Sequence, residues 1–143
     1  MIAATVNPHL SFNGTCEAAF EFYKSVFGGE FTELHRIKDI PGQEVPDLEK
    51  EKIMHVSLRL TEHVCLMGCD TTEIFSPPAK FGNNITLTIS PASDAETQRL
   101  YDALSAGGAI EFPLQKTFWA DLYTVFTDKF GTCWALNFMK SGA

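Results

Sequence analysis

Apolar and polar residues alternate with two different periods along the chain, and these periods follow one another in a fixed order. The stretch "HLSF" alternates with period two, which predicts a strand with one buried face. "TCEAAFEFYKSVFGG" then carries apolar residues at helical spacing and ends on Gly-Gly, a typical helix stop. Three further strand-like stretches follow: "EFTELHRI", "IMHVSLRL" and "VCLMGCD". The first half therefore predicts a strand-helix-strand-strand-strand module.

The second half repeats the same order of elements. "NITLTI" is an alternating strand, and "SPASDAETQRLYDALSAGG" is a helix in which Ser93 and Glu96 have the spacing of a capping box. "AIEFPL" is a strand, and "DLYTVFTDKFGTCWALNFM" is a hairpin. We predict one domain, residues 1–143, with module one at about 5–72, a linker at about 73–81 and module two at about 82–140.

A half-chain of this size buries its sheet face poorly alone, whereas two similar halves side by side can share a core. The pattern therefore predicts an α+β fold in which two tandem βαβββ modules form a curved mixed sheet around a cavity. The helices are expected on the outer face of the sheet. A chance repeat of Gly-Gly after each helix is the alternative, and the matching element order argues against it.

Period two also divides the predicted strands into a face under the helices and an inner face. Apolar residues such as Ile85 are assigned to the helix side, and polar residues to the inner side. An ordinary solvent-exposed sheet face would show the same alternation. Asp70 is placed at the cavity rim, Trp119 in a loop that closes the pocket, and Tyr123 on a strand from which it can reach inward. The remaining inner-face candidates are His9, Ser11, His55, Ser57, Arg59, Asn84, Thr86 and Asn137.

The amino-acid composition argues against some classes of binding partner. The net charge is −7, with 11 basic and 18 acidic residues, which argues against a nucleic-acid or anionic-membrane surface. No apolar run approaches the roughly 20 residues of a membrane span, and the N-terminal stretch lacks the basic and apolar regions of a signal peptide. The four cysteines show no CxxC or zinc-ribbon spacing. A cytoplasmic protein with reduced thiols is expected.

Several stretches resemble one known family. "FYKSVFGGEF" and "TDKFGTCW" are the most specific, together with "KIMHVSLRL" and "LSAGGAIEFPLQKTFWA". The chain resembles the PhnB-like branch of the vicinal oxygen chelate superfamily, which includes glyoxalase I, bleomycin-resistance proteins and extradiol dioxygenases. Members of this branch often carry the label of a demethylubiquinone methyltransferase. The sequence has no strand, glycine-rich loop and helix of the kind that binds S-adenosylmethionine.

The resemblance also implies where a divalent metal would bind. Catalytic members of the superfamily use His and Glu on the first and last strands of each module. Those positions correspond to His9, Asn84, Met67 and Ala135, of which only His9 is a usual ligand. We therefore expect no metal or other cofactor, with His9 and His55 as the ligands only if a metal is found.

Three hypotheses about function remain open, so the sequence does not decide whether the protein is an enzyme. The first is a protein that handles a small molecule in the cavity, with an anionic ligand at Arg59 or an aromatic one. The second is a metal-dependent lyase, isomerase or dioxygenase with a remodelled site. The third is a metal-free enzyme with His9 or His55 as general base. The resemblance further implies a homodimer.

Overall fold

The computed structural model describes residues 1–140. They divide into two compact units, Met1–Lys80 and a second unit that begins at Phe81. Unit 1 contains one helix and four strands: β1 (His9–Phe12), α1 (Cys16–Phe27), β2 (Phe31–Arg36), β3 (Ile53–Arg59) and β4 (Cys65–Asp70). Short 3-10 turns at Ile37–Asp39 and Asp47–Glu49 interrupt the loop between β2 and β3.

Unit 2 has the same elements in the same order. They are β5 (Leu87–Ile89), α2 (Asp94–Ser105), β6 (Ala109–Gln115), β7 (Leu122–Thr127) and β8 (Cys133–Phe138). Neither α1 nor α2, the α-helices of residues 1–140, has the length and apolar character needed to cross a membrane.

The two sheets share one topology. Unit 1 has the strand order β1-β4-β3-β2, and unit 2 has β5-β8-β7-β6. In each sheet the first strand of the module runs parallel to the last, and the other neighbours are antiparallel. The prediction of an α+β fold built from two βαβββ modules is confirmed. The joining of the sheets around a cavity and the boundaries assigned to the single domain stay predictions.

The core of unit 1 forms between α1 and one face of its sheet. Phe12 and Phe20 meet edge to face, and Phe20 makes a similar contact with Tyr23. All three side chains are almost fully buried. Gly68 leaves room for this packing, because an added Cβ would lie 2.5 Å from the Phe20 ring. The apolar stripe of α1 therefore lies against the face that the alternation assigned to it.

The core of unit 2 is centred on β7 and β8. Phe126, Trp134 and Leu136 are buried, and the Trp134 indole N–H donates to the Asp128 carboxylate at 2.8 Å. The other carboxylate oxygen of Asp128 accepts from the backbone of the turn that joins the two strands. A buried carboxylate is tolerated here because hydrogen bonds from the protein replace its hydration.

The repeated Gly-Gly has a structural cause in each unit. An added Cβ on Gly29 would lie 2.4 Å from the Arg59 carbonyl oxygen, and one on Gly108 would lie 2.1 Å from that of Thr127. In both units the chain leaving the helix passes directly against the end of the neighbouring strand. Only a residue without a side chain fits this approach.

The two helices begin in different ways. Ser93 Oγ accepts from the Glu96 N–H at 3.0 Å, as its spacing predicted, while the Glu96 carboxylate pairs with Arg99. Thr15, at the start of α1, makes no such side-chain bond. Asp70 takes that role, since its carboxylate accepts from the N–H groups of Gly14 and Cys16. The start of α1 is therefore capped by a residue distant in sequence and not by Thr15.

The first strand of unit 2 is shorter than predicted. Pairing with β8 is confined to Leu87–Ile89, and Ile85, which was assigned to the core, is 71% exposed. The residues before Ile85 contact β8 and the turn that leads into it. Phe81 packs on Gly131, and the Gly82 carbonyl accepts from the Cys133 thiol. The chain joins the sheet only after these contacts.

Candidate functional site

The inner face of the unit 1 sheet, opposite α1, brings together two predicted site residues. His9 lies on β1 and His55 on β3, with β4 between these strands. Their imidazole rings are stacked, with centroids 6.2 Å apart and planes inclined by 23°. Period-two alternation places both rings on this face, because their neighbours Phe12 and Val56 are buried under the helix.

A third side chain completes this group. Nε2 of His55 lies 3.1 Å from the carboxylate of Glu33, which stands on the adjacent strand β2. Glu33 pairs in register with Ser57, and His35 pairs with His55, so these four residues share one face of the antiparallel pair. We refer to His9, His55 and Glu33 as the histidine cluster.

The surroundings of the histidine cluster favour a neutral His9. Partial burial lowers the pKa of His9, and the proximity of His55 lowers that pKa further. A neutral imidazole has one donor and one acceptor nitrogen. The cluster therefore offers a ligand both kinds of hydrogen bond, with a carboxylate beside them.

Three further predicted residues of unit 1 have different environments. Ser11 Oγ lies 3.8 Å from the thiol of Cys69 on the neighbouring strand. Ser57 is buried, with 6% of its surface exposed. Arg59 is exposed at the end of β3, and its guanidinium donates to the Glu62 carbonyl. Ser57 thus lies on the strand face of the histidine cluster, opposite Glu33, whereas Ser11 contacts Cys69 and Arg59 binds the Glu62 carbonyl.

Asp70 does not lie on the inner face, contrary to its predicted place at a cavity rim. It follows the buried residues Leu66 and Gly68 at intervals of two, so its side chain shares their helix-facing side. One carboxylate oxygen binds the start of α1, and the other accepts from the Ile53 N–H at 2.9 Å. Asp70 joins α1, β3 and β4 and has a structural role.

In unit 2, the predicted residues Trp119, Tyr123 and Asn137 come together. Tyr123 and Asn137 are paired in register on β7 and β8. The Trp119 ring lies 5.2 Å from that of Tyr123, and two further rings extend the group, with Phe112 at 5.6 Å from Tyr123 and Phe118 at 4.8 Å from Trp119. We refer to Phe112, Phe118, Trp119 and Tyr123 as the aromatic cluster.

Asn84 and Thr86 do not join an inner strand face. Both are exposed and precede β5, whose paired residues begin at Leu87. The register places Thr88, not Asn84, opposite Ala135, just as His9 stands opposite Met67 in unit 1. Asn84 and Thr86 lie outside the sheet because β5 begins only at Leu87.

This register also tests the metal positions that the family resemblance implies. The four positions hold His9, Met67, Thr88 and Ala135, a set with one imidazole and no carboxylate. Within residues 1–140 no three His, Cys, Asp or Glu side chains form a group that could hold a metal ion. His55 is directed at Glu33 instead. This donor set does not fit a hard or borderline divalent cation.

A pocket of about 210 Å³ lies elsewhere in unit 1, beside the segment that follows β4. The Asn13 amide crosses this region, accepting from Thr71 Oγ1 and from the Ala79 N–H, and donating to the Ala79 carbonyl. Its lining residues are Asn13, Lys52, Thr71, Thr72, Glu73, Ser76 and Pro78. None of them belongs to the predicted site.

Sequence reasoning missed Glu33 and Phe112. A usable pattern existed for Glu33, because it alternates with His35 in "EFTELHRI" and so shares that residue's face. Phe112 is harder to assign, since the pairing of β6 with β7 shifts register on both sides of it.

Comparison with known proteins identifies the family. The family model described as 3-demethylubiquinone-9 3-methyltransferase matches residues 4–137, nearly the whole chain. The chain belongs to this family. The label is the one that PhnB-like proteins carry, so the predicted resemblance is confirmed.

Relatives of this PhnB-like protein cover it almost completely. It is similar to protein YjdN of Escherichia coli K12, at 29% identity over 94% of this chain and 95% of that one. It is also similar to the crystal structure of protein PA1353 from Pseudomonas aeruginosa, at 34% identity over 96% and 98% of the two chains and a TM-score of 0.86.

A more distant structure has the same fold. A glyoxylase/bleomycin resistance protein/dioxygenase domain from Frankia sp. EAN1pec is 12% identical to this chain, with a TM-score of 0.65. The match covers 98% of this chain and 100% of the Frankia domain. At this identity the likeness concerns the fold alone, and fold does not fix function. The PhnB-like chain thus has the glyoxalase/bleomycin-resistance fold that its sequence predicted.

Proposed function

We propose that this PhnB-like protein binds a small organic molecule through the inner sheet face of unit 1, with His9 and His55 as its hydrogen-bonding contacts. The observation that carries the proposal is the stacked pair itself, with the Glu33 carboxylate 3.1 Å from His55. A ligand with a carboxylate, hydroxyl or carbonyl group matches these donors and acceptors.

The histidine cluster is not needed to hold the unit together. The aromatic core of unit 1, Phe12, Phe20 and Tyr23, packs on the helix-facing side of the sheet, and Asp70 makes the polar link between α1 and the sheet. Stacked imidazoles beside a carboxylate contribute little to folding when they are partly solvated. Their placement is better explained by recognition of a ligand.

Methyl transfer is not supported as the activity, in spite of the family's description. The two sheets are four-stranded and mixed, and each places its first strand beside its last. A doubly wound parallel sheet with a glycine-rich turn at a helix start is the usual frame for a nucleotide-like cofactor. Neither module follows that pattern.

The experiment that tests binding is a titration of ¹⁵N-labelled protein with 4-hydroxybenzoate, followed by amide and imidazole chemical shifts. We expect saturable shifts around His9 and His55, and weaker binding by His9→Ala and His55→Ala. His63→Ala is the matched control, because His63 is an exposed turn residue with 76% of its side chain accessible. Arg59→Leu tests the anion contact separately.

Shifts that map to the helix-facing side or spread over the surface would refute the proposal. Equal weakening by His63→Ala would also count against it. Unchanged affinity in Arg59→Leu would remove Arg59 as the contact to the carboxylate and leave the histidine cluster in place. Circular dichroism of each variant establishes that the fold is kept.

A second function, proton transfer without a metal, is favoured by the Glu33–His55 contact. A carboxylate that orients an imidazole is a common arrangement for a general base. The test is exchange of deuterium from solvent into carbon-bound positions of hydroxyacetone, observed by NMR. His55→Ala should abolish any exchange, and Glu33→Gln should slow it; exchange that survives in His55→Ala would eliminate this function.

We also propose a homodimer located in the cytoplasm. Strands β1 and β2 are the edge strands of one sheet and β5 and β6 those of the other, and a strand edge favours pairing with another chain. All four cysteines are free thiols, as a reducing compartment favours. Sedimentation equilibrium tests the dimer, and cell fractionation tests the location; a monomer at micromolar concentration would rule out the first.

A further inference from the structure

The aromatic cluster of unit 2 forms a connected row of rings that ends at the surface. Phe112, Tyr123, Trp119 and Phe118 meet edge to face in that order. Exposure increases along the row, from intermediate at Phe112 and Tyr123 to 40% at Trp119 and 97% at Phe118. Large apolar side chains left in water at a loop are typical of a recognition surface.

Beside this row is a polar atom without a partner. The side-chain carbonyl oxygen of Asn137 is buried and accepts no hydrogen bond within the described residues. Asn137 stands opposite Tyr123 in the β7–β8 register, so both side chains project from the same face. Buried acceptors in native structures are almost always satisfied, and an orphan one calls for an explanation.

The loop that carries Trp119 is fixed at both ends. Thr117 exchanges two hydrogen bonds with Ala120, through its backbone N–H and through its hydroxyl. The Asp121 N–H donates to the Phe138 carbonyl, and the Asp121 carboxylate accepts from the Lys140 N–H. The loop position is therefore defined, while the Trp119 ring itself keeps 40% of its surface exposed.

We propose that the aromatic cluster binds a planar aromatic molecule that carries a hydroxyl or N–H group. The ring of the ligand packs on Trp119 and Tyr123, and its donor group binds the Asn137 carbonyl oxygen. Because that oxygen is covered, the ligand reaches it only when the side chains around it shift. This site lies in unit 2 and goes beyond the proposed function, which concerns the inner sheet face of unit 1.

The chemistry of the site selects between similar aromatic molecules. The Asn137 oxygen accepts a hydrogen bond and cannot donate one. A ligand whose hydroxyl is replaced by a methoxy group keeps the ring contacts and leaves the oxygen unsatisfied. A site with a buried acceptor discriminates strongly against an analogue that lacks the donor.

The test compares 4-hydroxybenzoate with 4-methoxybenzoate, which have the same ring and the same carboxylate. Binding is followed by the indole N–H resonance of Trp119, with Trp134, whose indole N–H is bonded to Asp128, as the internal reference. The hydroxy compound should bind about fivefold or more tightly, as expected for one satisfied hydrogen bond.

Variants distinguish the hydrogen bond to Asn137 from the ring contact with Trp119. Asn137→Leu should remove the preference for the hydroxy compound, and Asn137→Asp, which keeps an acceptor of the same shape, should retain it. Trp119→Leu should weaken both compounds about threefold to tenfold, while Trp119→Phe keeps most of the affinity because the ring remains. The wild-type comparison of the two compounds needs no variant to fold.

The outcomes distinguish this inference from the proposed function. Equal affinity for the two compounds overturns the donor contact. A Trp119 resonance that stays unchanged, while His9 and His55 shift on titration, overturns the aromatic site and leaves binding at unit 1 intact. An absence of any shift in both units overturns both. If the Trp119 shift depends on protein concentration alone and Trp119→Leu abolishes self-association, the aromatic cluster is a dimer contact and the inference fails.

Discussion

The imidazole of His9 stacks against that of His55 across the intervening strand β4, with ring centroids 6.2 Å apart. Partial burial and the neighbouring ring both disfavour a positive charge on His9. Two histidines from separate strands are thus held side by side, and the lowered pKa favours the neutral form of His9. This relationship makes the inner face of unit 1 suitable for a ligand.

The first prediction concerns the pKa of His9. Burial lowers this pKa and His55 lowers it further, so His55→Ala should raise it toward the ordinary value of 6.5. Titration of the imidazole carbon-bound protons by NMR measures the pKa directly. His63→Ala, which changes an exposed histidine, should leave the His9 titration unaltered. A His9 pKa above 6.5 in the wild-type protein would contradict the described environment.

The lowered pKa of His9 also predicts how stability depends on pH. Between the folded and unfolded pKa values the unfolded chain binds more protons at His9, so protonation favours unfolding there. The contribution of His9 to the free energy of unfolding is complete above pH 6.5. It is lost as the pH falls through the lower pKa that His9 has in the folded protein. His9→Asn should therefore lose less stability than wild type between about pH 7.5 and about pH 5.5 in urea titrations. Identical losses in both proteins would show that His9 is not responsible.

Asp70→Asn should destabilise the protein strongly. The carboxylate accepts from Gly14, Cys16 and Ile53 at 2.9–3.0 Å, and an amide presents an N–H group to one side of that set. Loss of such charge-assisted bonds at a buried site costs about 3 kcal/mol. Asp47→Asn is the control, because this exposed carboxylate pairs only with Lys50, and it should cost less than about 0.5 kcal/mol. Equal costs in chemical denaturation would argue against the structural role of Asp70.

Gly108→Ala should cost more than Gly107→Ala, although the two residues are adjacent. A Cβ on Gly108 would lie 2.1 Å from the Thr127 carbonyl oxygen, so β6 and β7 must separate to accept it. Gly107 has φ of 76° and faces only the flexible Lys129 side chain at 3.5 Å, which limits its penalty to about 1 kcal/mol of backbone strain. Thermal unfolding of both variants gives the order, and the reverse order would contradict the close approach.

Ser93→Ala and Thr15→Ala form a matched pair at the two helix starts. Ser93 Oγ accepts from the Glu96 N–H, so loss of this hydroxyl should lower the free energy of unfolding by about 1 kcal/mol. Thr15 makes no side-chain capping bond, because Asp70 binds the start of α1, and its loss should cost only about 0.3 kcal/mol. Similar costs in urea denaturation would mean that Thr15 caps α1 after all.

Much of the fold follows from local patterns in the sequence. Period two and helical spacing predict the order of all ten elements, and the two Gly-Gly pairs mark the same point in each module, where Gly29 and Gly108 pass against a strand carbonyl. Alternation also places His9 and His55 on one face, since His9 is three residues before the buried Phe12 and His55 is directly before the buried Val56.

Features set by pairing between distant strands are harder to predict. The position of Glu33 depends on the β2–β3 register, which is irregular near both ends of β2. The role of Asp70 depends on three backbone N–H groups from two separate segments of unit 1, the start of α1 and the start of β3. The late start of β5 depends on the contact between Phe81 and Gly131. Alternation along β2 gives the face of Glu33 but not its contact with His55, and no local pattern encodes the contacts of Asp70 and Phe81.

The central claim is that the inner sheet face of unit 1 contacts a small organic ligand. Intermolecular nuclear Overhauser effects from the ring protons of 4-hydroxybenzoate to ¹³C-labelled protein test it most directly. The account predicts effects to the imidazole protons of His9 and His55, and their loss in His55→Ala. Effects confined to α1 or to the pocket beside Asn13, with none to either imidazole, would contradict it.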